Sequence, residues 1–518
     1  MIKLIKALEI KKSSGYDDIS NFLIKKTSDV IVPHLEVLYN ACLKQGLFPS
    51  VYKVAKVIPL FKGGDRDNVN CYRPISLLPA LGKLLEKLIS SRISDYLDTH
   101  DLLSPHQFGF RKNFGTEFAI MDMCEKLLSN LDKNLNTCSI FLDLAKAFDS
   151  VSHDILLRKL HKYGIRDQAL SLFSSYLGSR SQFTALGKTF SSYISIKFGV
   201  PQGSILGPLL FLLYINDLPA ASSFYIKLFA DDTFLCLQNK DITLLEKEVN
   251  LELQKVCEWL TCNKLTLNVS KSKYMLTLKN KRKRPSIKVH INEKTLEECE
   301  SYKYLGVIID RNLSWNCHID YICKKITKAC GYFSKLRHCV SIDTLISVYY
   351  ALVHSYLRYG ITSWGCASST TLQPLVSLVN RIVRIMTFAP FGNIDVDEIY
   401  KYLDIPRVQD TISIETGKFI FKREKGLLPD PNIAKHFEVR NENTSHSYNL
   451  RNRGGNLPKN SYSSSHGEKP IQCRGANLWN SLLDVITSTE TLRSFKKQLK
   501  TFLLEDTPLE DDDIYFYY

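Results

Sequence analysis

Three carboxylates beside apolar segments are the residues of this chain best suited to chemistry. Asp143 ends the run CSIFLD at 138–143, and Asp231 and Asp232 sit within FYIKLFADDTFLCLQ at 224–238. A carboxylate beside a buried strand is costly unless something compensates it, and a divalent cation does. Adjacent carboxylates at a turn, facing a third from a neighbouring strand, can hold two hard cations on oxygen ligands. Two such ions can activate a hydroxyl nucleophile and stabilise a departing pyrophosphate, in a catalysis that is mostly positioning and electrostatics. The plain alternative is a set of turn residues: Asp is common at hairpins, and a bare Asp-Asp pair between strands says little.

The elements around them can be read from periodicity. Residues 138–143 form an apolar, β-rich run that predicts a buried strand, and 224–238 predicts two short strands with Asp231-Asp232 between them. Val54 to Phe61 reads as a strand running into a Lys62-Gly63-Gly64-Asp65 turn. Leu81, Leu84, Leu85, Leu88, Ile89 and Ile93 repeat at helix spacing, as do Leu245, Val249, Leu253, Val256 and Leu260. His153 to Tyr163 reads as a helix stopped by Gly164. Further strand candidates stand at 286–291 and 303–309, after the basic run Lys281 to Arg284, which suits a solvated loop tip, a nuclear localisation signal or a phosphate contact. From about 315 the pattern is helical. Residues 440–470 are rich in Asn, Ser and Gly and read as a flexible segment, before a helical tail from Ala476 to Leu504 and an acidic end.

Bulk properties narrow the class. At 518 residues the chain is too long for one core. Its 44% hydrophobic and 23% charged composition is that of a globular protein and excludes a mainly disordered one. The net charge of +15 fits a polyanion partner, or equally a membrane surface. The longest apolar stretch, Ile205 to Ile215, is broken by Gly207 and Pro208 and falls short of the roughly 20 residues a spanning helix needs. The N-terminus has no sustained apolar region, so no secretory signal is expected. The 14 cysteines are scattered without a CxxC pair, as in a reduced, intracellular protein without disulfides.

Order and spacing of longer motifs add to this. FLDLAKAFDSVSH at 141–153, GVPQGSILGPLLFLLYINDLP at 199–219 and LFADDTFL at 228–235 follow one another. Upstream stand KVIPLFKGGDRDNVNCYRPISLLPALGKLLEKLI at 56–89 and HQFGFRKNFGT at 106–116; downstream, LTLNVSKSKYM at 265–275 and YKYLGVIID at 302–310. The set resembles the core of reverse transcriptases, and more narrowly those of non-LTR (LINE-type), Jockey-like retrotransposons. No single piece is specific, but the ordered set is, and the resemblance spans nearly the whole chain.

The resemblance implies an α+β, right-hand polymerase fold. Residues 1–50 would be an N-terminal helical extension and 51–310 the fingers and the palm with its antiparallel sheet. Residues 311–430 would form a helical thumb or connection, and 431–518 a C-terminal helical module with a flexible loop and acidic tail. It also implies roles. Asp143 and Asp231 would ligate two Mg²⁺ ions, with Mn²⁺ as a substitute, and Asp232 would support them as a third metal carboxylate. Lys62 and Arg73 would grip the triphosphate of a deoxynucleotide, as cations aimed at a transferring phosphoryl group should. Phe148 would close under the sugar and clash with a 2′-hydroxyl, and Gln202 in the Gly199-Pro201-Gln202-Gly203 turn would lie near nucleotide or template. Gln107, Gly109, Phe110 and Arg111 would meet the template, and Tyr304, Leu305 and Gly306 the primer end. Lys271, in a Lys-Ser where relatives have Lys-Thr, would protonate pyrophosphate. Without the family match, each has a bland reading: surface charge for the cations, core packing for Phe148 and Tyr304, an ordinary turn for the glycines.

The expected partners are an RNA template, a DNA primer or target DNA, and deoxynucleoside triphosphates, with no membrane. Location would be intracellular, in a nuclear or cytoplasmic ribonucleoprotein. Relatives usually encode an endonuclease upstream, and SSGYDDI at 13–19 matches a segment between the two enzymes, so the chain reads as the polymerase part of a longer element. No zinc knuckle or ribonuclease H cluster is recognisable. The rival expectations are a non-catalytic nucleic-acid-binding remnant and a different templated polymerase. All three carboxylates speak against the first, and Phe148 with the FADD form of the turn against the second.

Overall fold

In this computed structural model, which describes residues 1–10, 14–279, 285–390, 394–428, 457, 462, 464 and 466–505, the fold is α+β. The described strands are β1 (Val54–Phe61), β2 (Tyr72–Leu77), β3 (Asn136–Leu142), β4 (Leu144–Ala145), β5 (Arg180–Leu186), β6 (Thr189–Phe190), β7 (Ile194–Ile196), β8 (Tyr225–Phe229), β9 (Asp232–Asn239), β10 (Thr266–Leu267), β11 (Lys273–Thr277), β12 (His290–Ile291), β13 (Lys294–Thr295), β14 (Glu297–Glu298), β15 (Ser301–Tyr304) and β16 (Val307–Asp310).

One sheet has the order β14-β11-β3-β9-β8, with β3 at its centre and every residue of β3 buried. Burial on both faces is why this strand reads as a continuous apolar run rather than an alternating one. Cys138, Ile140 and Leu142 join a core with Leu245, Val249 and Leu253 of the helix Ile242–Cys262. Phe141 points the other way, into a core shared with Leu127 of the helix Thr116–Asp132 and with Trp315. β9 pairs antiparallel with both β3 and β8. A second sheet, β2-β1-β5-β6 with β7 also on β5, joins β1 to β2 antiparallel and to β5 parallel. The helix Leu206–Ile215 is buried all round apart from Pro208, which accounts for the apolar stretch noted in the sequence. Among the described residues no helix is long and apolar enough to cross a membrane.

After the β15–β16 hairpin the chain is helical, beginning with Asn316–Leu336. A third core joins the helix Val408–Glu424 to the helices Ile471–Ser481 and Leu492–Glu505 through Phe421, Trp479, Phe495 and Leu499. The basic run Lys281 to Arg284, most of the 440–470 segment and the acidic end lie outside the described residues.

Candidate active site

Strand register assembles the three carboxylates. β8 and β9 are joined by a two-residue turn, Ala230-Asp231, because Phe229 pairs with Asp232. Asp232 is thus the first residue of β9 rather than part of the turn. On the other side of β9, Leu142 pairs with Thr233, and continuing that register sets Asp143 beside Asp232. The backbone of Asp143 is clamped from both sides. Its N–H donates to Ser272 Oγ at 3.1 Å, and its carbonyl accepts from Asn268 N–H at 2.8 Å. Ser272 is buried and donates in turn to the Asn268 carbonyl at 3.0 Å.

The carboxylates repel one another. Burial, followed by the charge of Asp143, raises Asp231 above the usual carboxylate range, while Arg73 pulls it back. Desolvation of its carboxyl, then the charges of Asp231 and Asp143, push Asp232 up to about 6, although the residue as a whole stays open to solvent. None of the three ion-pairs with a lysine or arginine among the described residues. Also among the described residues, no three His, Cys, Asp or Glu side chains are gathered closely enough to hold a metal unaided. The donor set nonetheless fits a hard cation. Mg²⁺ keeps several waters and is held by one or two carboxylates plus substrate phosphates, not by an all-protein cage. Bringing a divalent charge to this place would remove the repulsion that raises Asp231 and Asp232.

Asp143 and Asp231 open into a cleft of about 1290 Å³. Lys62, Arg73, Phe110, Phe148, Gln202 and Lys271 line the same cleft, so eight of the fifteen nominated residues share it. Lys62 follows the end of β1, and Arg73 lies in β2, opposite Leu60. Phe148 rests on Phe211 (ring centroids 4.7 Å apart) and meets Phe110 edge-on, and its carbonyl accepts from Val200 N–H at 2.8 Å. Gln202 donates to both carboxylate oxygens of Asp149, at 3.2 and 3.3 Å, and its carbonyl accepts from Ser76 N–H at 2.8 Å. Gly203 has φ +123°, and a Cβ there would lie 2.5 Å from the Ser76 carbonyl, so only glycine lets the loop approach β2 this closely.

Residues 62–309 match the family model described as reverse transcriptase (RNA-dependent DNA polymerase), a span that contains all fifteen nominated residues. The chain is 28% identical over 444 residues to the probable RNA-directed DNA polymerase from transposon BS of Drosophila melanogaster, covering 81% of this chain and 47% of that protein. It is 31% identical over 430 residues to the RNA-directed DNA polymerase from mobile element jockey of Drosophila funebris (80% and 46%). It is 30% identical over 387 residues to the probable RNA-directed DNA polymerase from transposon X-element of Drosophila melanogaster (73% and 42%). Residues 62–309 are a reverse transcriptase domain, similar to those of non-LTR, Jockey-like mobile elements. It spans about half the length of these curated relatives.

The other nominated residues of this reverse transcriptase domain lie outside the cleft lining. Gln107 is fully buried, with its side chain turned to the Ala230-Asp231 turn. Gly109 packs against the same turn. Arg111 donates to the Ser104 carbonyl and lies 4.1 Å over the Phe114 ring. Tyr304 is buried between Phe141 and Phe234. Leu305 and Gly306, both at positive φ, form the tight turn between β15 and β16. Tyr359 supports that turn: its hydroxyl donates to the Leu305 carbonyl at 2.6 Å and lies 2.8 Å from Thr116 Oγ1.

Arg66, Lys146 and Asp149 also line the cleft and were not singled out from the sequence. Arg66 and Lys146 bring the basic side chains of the lining to five, against the three carboxylates Asp143, Asp149 and Asp231. Their signal was a basic residue inside each quoted motif. The Asp149–Gln202 pair joins positions 53 residues apart and has no local signature.

Proposed function

We propose that this chain is the RNA-directed DNA polymerase of a non-LTR retrotransposon, adding deoxynucleotides to the 3′-hydroxyl of a primer. The observation that carries it is the single basic cleft that gathers Asp143 and Asp231 with Lys62, Arg73, Phe148 and Gln202. The layout follows the right hand: fingers and palm at 51–310, thumb at 311–430, flanked by the extension 1–50 and the module 431–518. Its partners are an RNA template, a DNA primer or nicked target DNA, and deoxynucleoside triphosphates, met in a nuclear or cytoplasmic ribonucleoprotein.

Asp143 and Asp231, with Asp232 beside them, would hold two divalent cations, Mg²⁺ or its substitute Mn²⁺. When bound, these lower the pKa of the attacking hydroxyl and neutralise the departing pyrophosphate. The chain's own groups do the rest. Lys62 and Arg73 bind the triphosphate, assisted by the basic wall of Arg66 and Lys146. Phe148, backed by Phe211, meets the sugar and excludes a 2′-hydroxyl. Gln202, held by Asp149, fixes the loop beside the nucleotide. Lys271, at the cleft wall, gives its proton to the leaving pyrophosphate. Leu305 and Gly306 hold the primer end, and Phe110 and Arg111 the template side.

Primer extension tests this with four substrate pairings, RNA or DNA template against deoxy- or ribonucleotides. Extension on RNA with deoxynucleotides, and loss of at least tenfold with ribonucleotides, is expected. Hybrid binding without extension in any pairing would favour the non-catalytic remnant.

A further inference from the structure

Gln107 is 0% exposed, and its side-chain oxygen accepts two backbone N–H groups: Gly109 at 2.8 Å and Ala230 at 3.3 Å. Both neighbours are donors, so it is the amide oxygen that must face them. The Nε2 group has no protein partner among the described residues, an unusual arrangement for a buried donor, and one that satisfying Gln107's own needs does not explain. Ala230 is at φ +56°, where a two-residue hairpin turn normally takes glycine. Its N–H points out of the turn and takes Gln107 as its acceptor, which helps to offset the strain of a Cβ in that region.

The surrounding backbone makes this a built brace. Phe108 N–H donates to the Leu228 carbonyl at 2.8 Å, and Leu228 N–H to the His106 carbonyl at 2.9 Å, so residues 106–108 lie parallel against β8. Gly109 continues the approach: a Cβ there would fall inside contact distance of Ala230 N and 3.0 Å from the Phe229 carbonyl carbon. The chain can pass here only as glycine.

We propose that Gln107 is a positioning residue that sets the Ala230-Asp231 turn, and so acts on cation binding by Asp231 rather than on the template. The assignment rests on the metal role given to Asp231 above. Gln107→Met keeps the shape and removes the acceptor. Mn²⁺ binding to the full chain with an RNA–DNA hybrid, read as free Mn²⁺ by electron paramagnetic resonance, should weaken about tenfold. Affinity for the hybrid alone, without metal, should stay within twofold of the unaltered protein. Gln107→Leu, which also removes the acceptor without adding bulk against the turn, should give the same split and stands in if Gln107→Met does not fold. Hybrid affinity lost tenfold with unchanged Mn²⁺ binding would overturn the proposal in favour of a template contact. No change in either, or no Mn²⁺ binding by the unaltered protein, would overturn it too. Primer extension by the unaltered protein is measured in parallel. If it fails while the Mn²⁺ split appears, the polymerase activity is wrong and the role of Gln107 stands.

Discussion

The ion pair beneath the carboxylate turn offers a quantitative prediction. Lys227, in β8 and four residues before Asp231, is 1% exposed and pairs at 2.5 Å with Asp122 of the helix Thr116–Asp132, whose side chain is 10% exposed. Asp122→Ala would leave the ammonium enclosed without its counter-charge, a loss of roughly 3–5 kcal/mol. The rings of Tyr225 and Phe108 lie 4.8 and 5.2 Å from the ammonium and would remain. Their cation–π attraction is present in both proteins and cancels in the difference, while the partial shelter it gives the stranded ammonium keeps the loss at the low end of that range. The net expectation is about 3 kcal/mol of destabilisation, or roughly 6–12 °C in Tm for a cooperative unit of 150–250 residues. Replacing both partners by apolar residues, Asp122→Leu with Lys227→Met, should restore stability to within about 1 kcal/mol, because neither charge is then stranded. Urea unfolding followed by tryptophan fluorescence and by circular dichroism reads both quantities. A loss under about 1 kcal/mol in Asp122→Ala, or a double variant as unstable as the single one, would refute the reasoning.

Further outcomes follow from the cleft and its surroundings. Phe148→Val should raise ribonucleotide use relative to deoxynucleotides by at least tenfold, as competition in primer extension would show; unchanged selectivity would remove Phe148 from the sugar contact. Arg73→Ala should raise KM for the nucleotide by roughly 10- to 100-fold, the range for a charge-assisted contact, with hybrid affinity unaffected. Glu125 accepts from Ile471 N–H at 2.7 Å, at the start of the helix Ile471–Ser481, and burial raises its carboxyl to about 7 despite that bond and the nearby Arg474. A carboxyl raised on folding contributes stability that is present below its unfolded value of 4.5 and lost as pH climbs through about 7. Docking of that helix should therefore weaken from pH 5 to pH 8 by at most roughly 3 kcal/mol, part of the side chain being still wetted, and Glu125→Gln should flatten the trend in hydrogen exchange.

Much of the scaffold was legible because its signals are local. β1 matches the expected span, Val54–Phe61, and the helices Ala80–Thr99 and Ile242–Cys262 carry the stripes that announced them. β2 was not seen, since Pro74 and Arg73 interrupt any alternation; Pro74 is tolerated because β2 is an edge strand. β5 was missed as well: RSQFTAL has polar residues at half-buried positions and gains its pairing from β1, more than a hundred residues away. The strand expected at 286–291 shrinks to His290–Ile291, paired only with β13. At the site, motifs located the cleft residues, but burial was not readable. Gln107 and Tyr304 look like surface contacts in a motif, and only the packing of His106 to Gly109 on β8, and of β15 on Phe141, turns them inward.

The most direct test of the central claim is extension of a DNA primer on an RNA template with Mg²⁺ and labelled deoxynucleotides, comparing the unaltered chain with Asp231→Asn. The account predicts extension that vanishes in the variant while hybrid binding persists. Extension surviving Asp231→Asn at an unaltered rate would contradict a centre at the Ala230-Asp231 turn.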